Sequence, residues 1–387
     1  HNLPIVSLSI PQESLTGELG VLNNIQESYE YEGVVTLVEG GVEKFSVPCG
    51  FRLHGNDSRK ERKQNFQLRF RSKYGAGKLK YPLFENRDLE EYDSLLLKGG
   101  SEDWGTAMLR DELATSLSDG TSALYTQAMK PVVVYLAGEY WGVHHLRERF
   151  SADYVASHMN VSPQSADIAY SSAGATDAGT VRDYHIVRRN VRSMDMSTNE
   201  SFAYLCENVD INSLMDWYIC RTYMVDEDLG NIRRFRSKEA DGKWHWMYFD
   251  LDWSFYIRVR NPVSRIISMP GGEHQLIQAV LKSEAGRDAF LKRYAYLMDT
   301  VLNEEFIIAR IDAIADKLDF LKMKFFVGKN GPAYSEDCMR LVGFCSSSAP
   351  PVALSEDDHA AIYFSSGTTG FPKAILHDHR SLNCACM

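Results

Sequence analysis

The run WHWMYFDLDWSF, Trp244 to Phe255, restricts more than any other stretch what this chain can fold into. It follows an Asp241-Gly242 turn signal. Aromatic and aliphatic residues then continue to Asp250 with His245 as the polar break, which is the pattern of a strand. Two carboxylates, Asp250 and Asp252, close the run, flanked by Leu251, Trp253 and Phe255. On a continuing strand positions i and i+2 share a face, so both acids would point one way. If the strand breaks, they sit in a turn instead. Acids at the rim of an aromatic core are costly unless paired, hydrogen-bonded or bound to a cation. The stretch therefore leaves open a salt-bridged turn or a divalent-metal site.

The whole chain sets wider bounds. Its 387 residues, 44% of them hydrophobic, suffice for one large domain or two smaller ones. A formal net charge of −10 argues against non-specific nucleic-acid binding while allowing a local positive pocket. No apolar run reaches the roughly 18 residues that a spanning helix needs. The first residue is His rather than Met, so the lack of a signal sequence says little about compartment. The seven cysteines are an odd number and match neither a disulfide framework nor a zinc spacing.

Along the chain, residues 4–10 read as a first strand, and Val34 to Val47 as two strand runs broken by Gly40-Gly41. Phe51 to Phe70 places a basic, glycine-containing connection between two alternating segments. Arg59, Lys60, Arg62 and Lys63 cluster there, as a solvated loop or as a phosphate clamp in which Lys63 is held most firmly. Leu95 to Lys98 is a short buried strand ending in a cation, and Thr106 to Leu117 has a helical leucine repeat flanked by Arg110 and Asp111. Pro131 to Leu136 and Glu139 to His145 form a hairpin about Ala137-Gly138, with Glu148 opening a polar helical segment. Residues 162–180, rich in Ser, Ala, Gly and Asp, read as a surface excursion. Asp210 to Val225 is a helix capped by Asp210. It runs into Asp226, Asp228 and Asn231, and a following hairpin returns Asp250 and Asp252 to the same neighbourhood. Arg287 to Asp299 and Glu304 to Leu318 are further helices, and the composition changes near 320.

Asp226, Asn231, Asp250 and Asp252 carry the hard oxygens that Mg²⁺ or Mn²⁺ prefers. An acid and a nearby Asn, followed by a strand–turn–strand and a second acid, are also how a kinase orients a hydroxyl and holds nucleotide-bound metal. There is no H-E-x-x-H and no G-x-S-x-G. On residues alone, phosphoryl transfer, metal binding and a purely structural role all stay open.

The pieces HGNDSRKERKQNFQLRF, YGAGKLKYPLF, SLLLKGG, LRDEL, PVVVYLAGEYWGVHHLRE and GKWHWMYFDLDWSF, in this order over residues 4–320, resemble the CotH family of spore coat protein H-like atypical protein kinases. The resemblance implies an α+β, divergent protein-kinase-like fold of antiparallel strands and hairpins packed on helices. It also implies transfer of the ATP γ-phosphate, with Mg²⁺ or Mn²⁺, to serine or threonine of a secreted, cell-surface or spore coat protein. Carried over by position, Arg59, Lys63, Lys98, Arg110 and Glu148 would serve the nucleotide. Asp226 would be the catalytic acid, with Asp228 as its substitute because the loop reads VDEDLGN where the family has TDWPGNN-like residues. Asn231, Asp250 and Asp252 would hold metal. No glycine-rich phosphate loop is present, so side chains and other backbone must make those contacts. Two rival functions remain: a catalytically weak coat or surface binding protein, and a small-molecule or sugar phosphotransferase.

The tail differs. YFSSGTTGFPK, Tyr363 to Lys373, resembles the phosphate-binding motif of adenylate-forming enzymes such as acyl-CoA synthetases. The expected division is a domain over 1–320 and a segment over 321–387 that is not independently active.

Overall fold

The computed structural model describes residues 3–318 apart from 105–106, 108, 172, 227 and 256–273, and beyond them the backbone of four short strands. The architecture is mixed α+β. Its first half comprises β1 (Ile5–Ser9), α1 (Gln12–Thr16), β2 (Tyr31–Glu39), β3 (Val42–His54) and β4 (Asn65–Arg69). A short pair, β5 (Leu79–Lys80) and β6 (Glu91–Tyr92), precedes β7 (Ser94–Lys98), α2 (Arg110–Ser118), β8 (Tyr125–Thr126), β9 (Met129–Leu136) and β10 (Glu139–Glu148). Seven of these strands close a barrel in the order β1-β2-β3-β4-β7-β10-β9. Every pairing in it is antiparallel except the parallel contact of β1 with β9 that closes the ring.

Strand alternation divides the barrel. Phe51, Leu53, Phe66, Leu68, Leu95, Leu97, Val132, Val134 and Leu146 fill the interior. Their neighbours Arg52, His54, Asn65, Gln67 and Lys98 alternate with them, and so take the outer face. The β9–β10 hairpin turns on Ala137 (φ 50°) and Gly138 (φ 85°), the two left-handed residues that match the twist of the flanking strands. β10 runs on through Glu148, so the residue expected to open a helix instead ends a strand; the helix begins at Ala152.

The second half comprises α3 (Ala152–Met159), β11 (Ala166–Tyr170), β12 (Ala175–Ala178), α4 (Arg182–Ser193), α5 (Asn199–Asn208), α6 (Ile211–Tyr223), β13 (Arg233–Ser237) and β14 (His245–Tyr248). Helices α7 (Gln275–Lys282), α8 (Glu284–Thr300) and α9 (Glu304–Leu318) follow. A second sheet has the order β12-β11-β13-β14-β8. The stretch 162–180 is therefore a surface excursion only in part: Ala166 to Ala169 are buried and pair with β13 inside this sheet.

Helix α6 is the spine of this half. The Asp210 carboxylate accepts from Ser213 N at 2.9 Å, and Ser213 Oγ in turn accepts from Trp246 N at 2.8 Å, which fixes the helix against β14. Trp217, Trp244, Trp246 and Tyr248 are buried around it, where truncating one such aromatic typically costs about 3–5 kcal/mol. Beyond 318, β15 (Phe325–Phe326) pairs with β16 (Glu336–Asp337) and β17 (His359–Ser365) with β18 (Lys373–Asp378). In the tail motif, Ser365 and Lys373 are register partners, while 366–372 lie outside the described residues.

Candidate active site

The strand of the opening motif stops at Tyr248, and Asp250 takes a left-handed backbone (φ 59°). The two carboxylates are thus not strand neighbours on one face. Asp250 is half-exposed, whereas Asp252 is buried in the following turn. A non-glycine residue held at positive φ carries strain, and so does Val225 (φ 53°) at the end of α6. Both strained residues border the same loop.

Arg221, on the last turn of α6, holds that loop. Its Nη1 donates to Asp226 Oδ2 at 2.7 Å and to Asp228 O at 2.7 Å; its Nη2 donates to Phe249 O at 2.7 Å and Asn231 O at 3.3 Å. The guanidinium also lies over the Trp217 ring, 4.7 Å from its centroid. One buried cation therefore fastens the helix end, the acidic loop and the end of β14. Sequence reading assigned Arg221 no role. Its signal was a charge inside an otherwise apolar helix, directly before an acidic loop.

Asp226 is enclosed by this arrangement. Its side chain is fully buried, with Oδ2 on Arg221 and Oδ1 accepting from Asp228 N at 2.9 Å. Burial raises its pKa against the pull of Arg221, with Asp228 and Asp250 adding to the rise. Asp228 is half-exposed, and its pKa is also raised, first by burial and then by the charge of Asp250. Between the two open carboxylates sits Asn231, whose Nδ2 donates to Asp228 Oδ2 at 2.6 Å and Asp250 Oδ2 at 2.7 Å.

The barrel contributes Lys98 from the end of β7. Its Nζ lies 2.8 Å from Asp111 Oδ2 on α2 and 3.1 Å from Asp250 Oδ1. Burial would depress this lysine, but Asp111, Asp250 and Asp252 outweigh it and raise its pKa, keeping the cation charged. Arg147 of β10, wholly buried, braces α2 from the other side. It reaches Asp111 Oδ2 at 3.0 Å and Glu112 Oε1 at 2.6 Å, and His145 Nδ1 joins Glu112 at 2.8 Å. Arg147 too was missed, although HHLRE places it two residues from His145 on the same strand face. Lys63 comes close to this strand end, because a Cβ on Gly99 would lie 2.6 Å from the Lys63 carbonyl oxygen. Only glycine permits that approach. The Lys63 charge, after burial, holds His144 well below its ordinary pKa.

The structure thus brings together Lys98, Asp228, Asn231 and Asp250, with Asp226 and Asp252 buried beside them and Lys63 at the adjoining strand end. Three other candidates point elsewhere. Arg59 donates to the carbonyls of Ile25 and Glu27 at 3.2 and 3.1 Å. Arg110 pairs with Asp103 at 2.9 Å. Glu148 accepts from Ala128 N at 2.7 Å and pairs with Arg87 at 3.2 Å. It stands opposite Leu95, three residues from Lys98, or about 10 Å along β7.

Among the described residues, no three Asp, Glu, His or Cys side chains converge as a metal cluster. The donor chemistry nevertheless suits a hard cation: two half-exposed carboxylates, one with a raised pKa, lie either side of an amide that now supplies positive hydrogens between them. No helix among the described residues is long and apolar enough to cross a membrane.

Comparison with known proteins finds two unrelated likenesses. A family model for the AMP-binding enzyme matches residues 292–387. The mitochondrial acyl-coenzyme A synthetase ACSM3 of Mus musculus is 32% identical over 81 residues, covering 21% of this chain and 14% of that protein. Its Homo sapiens counterpart is 26% identical over 95 residues, covering 24% of this chain and 16% of that protein. The chain therefore spans a small part of the length of these curated relatives. A second family model, for the CotH kinase protein, matches residues 51–330, well over half of the chain, and includes every side chain of the cluster just described. The chain belongs to the CotH kinase protein family.

Proposed function

We propose that this chain is an ATP- and divalent-metal-dependent protein kinase that phosphorylates serine or threonine of a secreted, cell-surface or spore coat protein. The observation that carries this reading is Lys98, which joins a helix carboxylate, Asp111, to the carboxylate at a strand end, Asp250. Kinases use a strand lysine paired to a helix acid in the same way, and need a metal-holding acid beside it. The closed barrel and the helical half correspond in this reading to the two lobes of a reduced kinase-like fold.

Lys98 and Lys63 would neutralise nucleotide phosphates, and Asp250 and Asn231 would hold the metal, Asp250 through its carboxylate and Asn231 through its amide oxygen. The metal, when bound, offsets the charge on the transferring phosphoryl group. Asp228 is the better candidate than Asp226 for the acceptor hydroxyl, because its carboxylate is half-exposed and Arg221 closes off the other. In the transfer, the acceptor oxygen bonds to the γ-phosphorus as the bond to the leaving ADP oxygen breaks, and the hydroxyl proton passes to Asp228. Positioning and charge neutralisation supply most of the acceleration.

Residues 1–320 form the kinase unit and 321–387 an accessory remnant of an adenylate-forming enzyme. The two family matches overlap over 292–330. In that overlap Arg293 pairs with Asp216 of α6 at 2.6 Å, and Leu297, Val301 and Leu302 are buried in the α6 core, which favours the first unit.

Titration with ATP and Mg²⁺ or Mn²⁺, followed by phosphate transfer to a panel of serine and threonine peptides, tests the reading. Asp250→Ala is expected to lose metal-dependent nucleotide affinity at least tenfold. Unchanged affinity would remove the assigned site. Binding without transfer to any peptide would favour a coat-assembly module, and transfer to a sugar alone would favour a small-molecule phosphotransferase.

A further inference from the structure

The oxygens that would meet the metal are already engaged, one of them by a cation from the other half of the fold. Asp250 Oδ1 lies 3.1 Å from Lys98 Nζ, and Asp250 Oδ2 accepts from Asn231 Nδ2 at 2.7 Å. The same amide nitrogen donates to Asp228 Oδ2 at 2.6 Å. A hard divalent cation bonds to carboxylate and amide oxygens, and it repels ammonium and amide hydrogens. Loading Asp250 therefore takes two changes. The Asn231 amide must turn its oxygen over, a local rotation of a half-exposed side chain whose backbone carbonyl stays on Arg221. Lys98 must also give up Oδ1, and that breaks an ion pair joining the barrel to the helical half.

Lys98 can leave Asp250 without being stranded. An ammonium group has three hydrogens, and Asp111 Oδ2 holds this one at 2.8 Å. Asp111 is itself fixed. Its Oδ2 pairs with Arg147 at 3.0 Å, and its Oδ1 accepts from Thr115 Oγ1 at 3.3 Å and from Leu251 N at 3.4 Å. The two anchors differ in access: the Asp111 side chain is 6% exposed and that of Asp250 36%. Lys98 is thus moored on a buried carboxylate and reaches out to an open one. There it supplies positive charge to a loop in which Arg221 pairs with the side chain of Asp226. Phosphate oxygens, charged and strong acceptors, compete for the same ammonium.

We infer that Lys98 is a stand-in cation on Asp250 that nucleotide phosphates draw away, so that this lysine makes divalent-ion binding at Asp250 conditional on the nucleotide. The inference rests on the kinase reading and deepens it: Lys98 sets the order of loading as well as neutralising phosphate. Without nucleotide, Asp250 keeps its own lysine, and free Mg²⁺ or Mn²⁺ competes poorly for Oδ1. With nucleotide, Lys98 turns to the phosphates while Asp111 retains its hold, and Oδ1 opens to the ion. Coupling between two ligands is reciprocal, so an ion on Asp250 in turn frees Lys98 for the phosphates, with a typical strength of about 5–150-fold.

Calorimetric titration of the full chain with Mn²⁺, in the absence of nucleotide, reads this directly, because the affinity of ATP itself for the ion does not enter. Lys98→Met removes the charge and keeps the stem, and it should bind Mn²⁺ about tenfold tighter than wild type. Lys98→Arg keeps a cation at the end of β7 and should bind Mn²⁺ as weakly as wild type. Adding Asp250→Ala to Lys98→Met should abolish the gain, which places the ion on that carboxylate. Lys98→Gln, which can still donate to Asp111, gives the same comparison if methionine prevents folding, and melting curves check each variant first. Mn²⁺ binding no tighter in the folded neutral variant than in wild type overturns the inference. So does an equal gain in Lys98→Arg, or a gain that survives Asp250→Ala. Failure of the kinase reading shows elsewhere, as Asp250→Ala retaining metal-dependent nucleotide affinity. A flat Lys98 comparison beside a loss of that affinity in Asp250→Ala fells the inference alone.

Discussion

Two groups of acids meet at Lys98 and have opposite electrostatics. On α2, Asp111 and Glu112 are buried yet deeply ionised, because Arg147, Lys98 and His145 press on them from two barrel strands. His145 and Arg147 overcome burial to hold the Glu112 carboxyl at about 2, and Arg147 and Lys98 drive Asp111 lower still. On the loop after α6, Asp226 and Asp228 have raised pKa values, first because burial desolvates them, and then because Asp250 repels both and Asp228 repels Asp226, against the single arginine Arg221. The same residue type is thus held ionised where cations outnumber it and drawn toward its protonated form where they do not. An acid left short of counter-charge is one that a cation or a proton can stabilise.

The largest test of this contrast is Arg147→Ala. It leaves two buried carboxylates short of their main partner and should cost about 3–5 kcal/mol in urea unfolding. A loss under about 1 kcal/mol would mean that α2 is not held by this network. Next, Asp228→Asn should lower transfer to a serine peptide by about 10²–10⁴-fold while leaving the melting temperature at neutral pH unchanged or higher. A variant that keeps its rate but melts lower would exchange the two roles.

The two groups should also bend the pH–stability curve in opposite senses. Glu112 has a folded pKa of about 2 against an ordinary 4.5, so its stabilisation is complete above pH 4.5 and drains away as pH falls toward 2. Asp228 lies above its ordinary 3.8, so the folded state holds the extra proton, and stability falls as pH rises from 3.8 through the raised value. Glu112→Gln should flatten the first slope and Asp228→Asn the second; slopes unchanged in both variants would undo the comparison. The smallest effect concerns His245, held between Asp210 at 3.3 Å and Asp241 at 3.1 Å with a raised pKa in spite of burial. Its contribution is full below pH 6.5 and is lost as pH rises through the folded value. His245→Gln should remove that decline, and a pH profile identical to wild type would refute it.

Local chemistry made much of this legible. The β9–β10 hairpin follows from strand alternation about Ala137-Gly138, and α6 from its apolar spacing and the Asp210 cap. The joint approach of Asn231 and Asp250 follows from a helix, a hairpin and a strand read in order. What misled was composition. β11 has the small residues of a loop, yet it is buried, because β13 beside it supplies Arg236, which pairs with Asp167 at 3.1 Å. Arg59, Arg110 and Glu148 were grouped by charge and motif position. Their partners, the carbonyls near residue 25, Asp103 and Arg87, are set by loop paths that no local pattern encodes.

By itself the sequence determined most of the elements and the family, and named Lys98, Asp228, Asn231 and Asp250, which the fold brings together, because periodicity and turn chemistry act over a few residues. Only the tertiary structure decided which acid is open. Asp226 and Asp228 are two residues apart and chemically identical, and Arg221, reaching from the helix end, buries one and leaves the other half-exposed. Closure of the barrel was decided there too, since β1 and β9 pair in parallel across more than a hundred residues. Ionisation and long-range pairing depend on which groups meet in space, and that distance is absent from the order of residues along the chain.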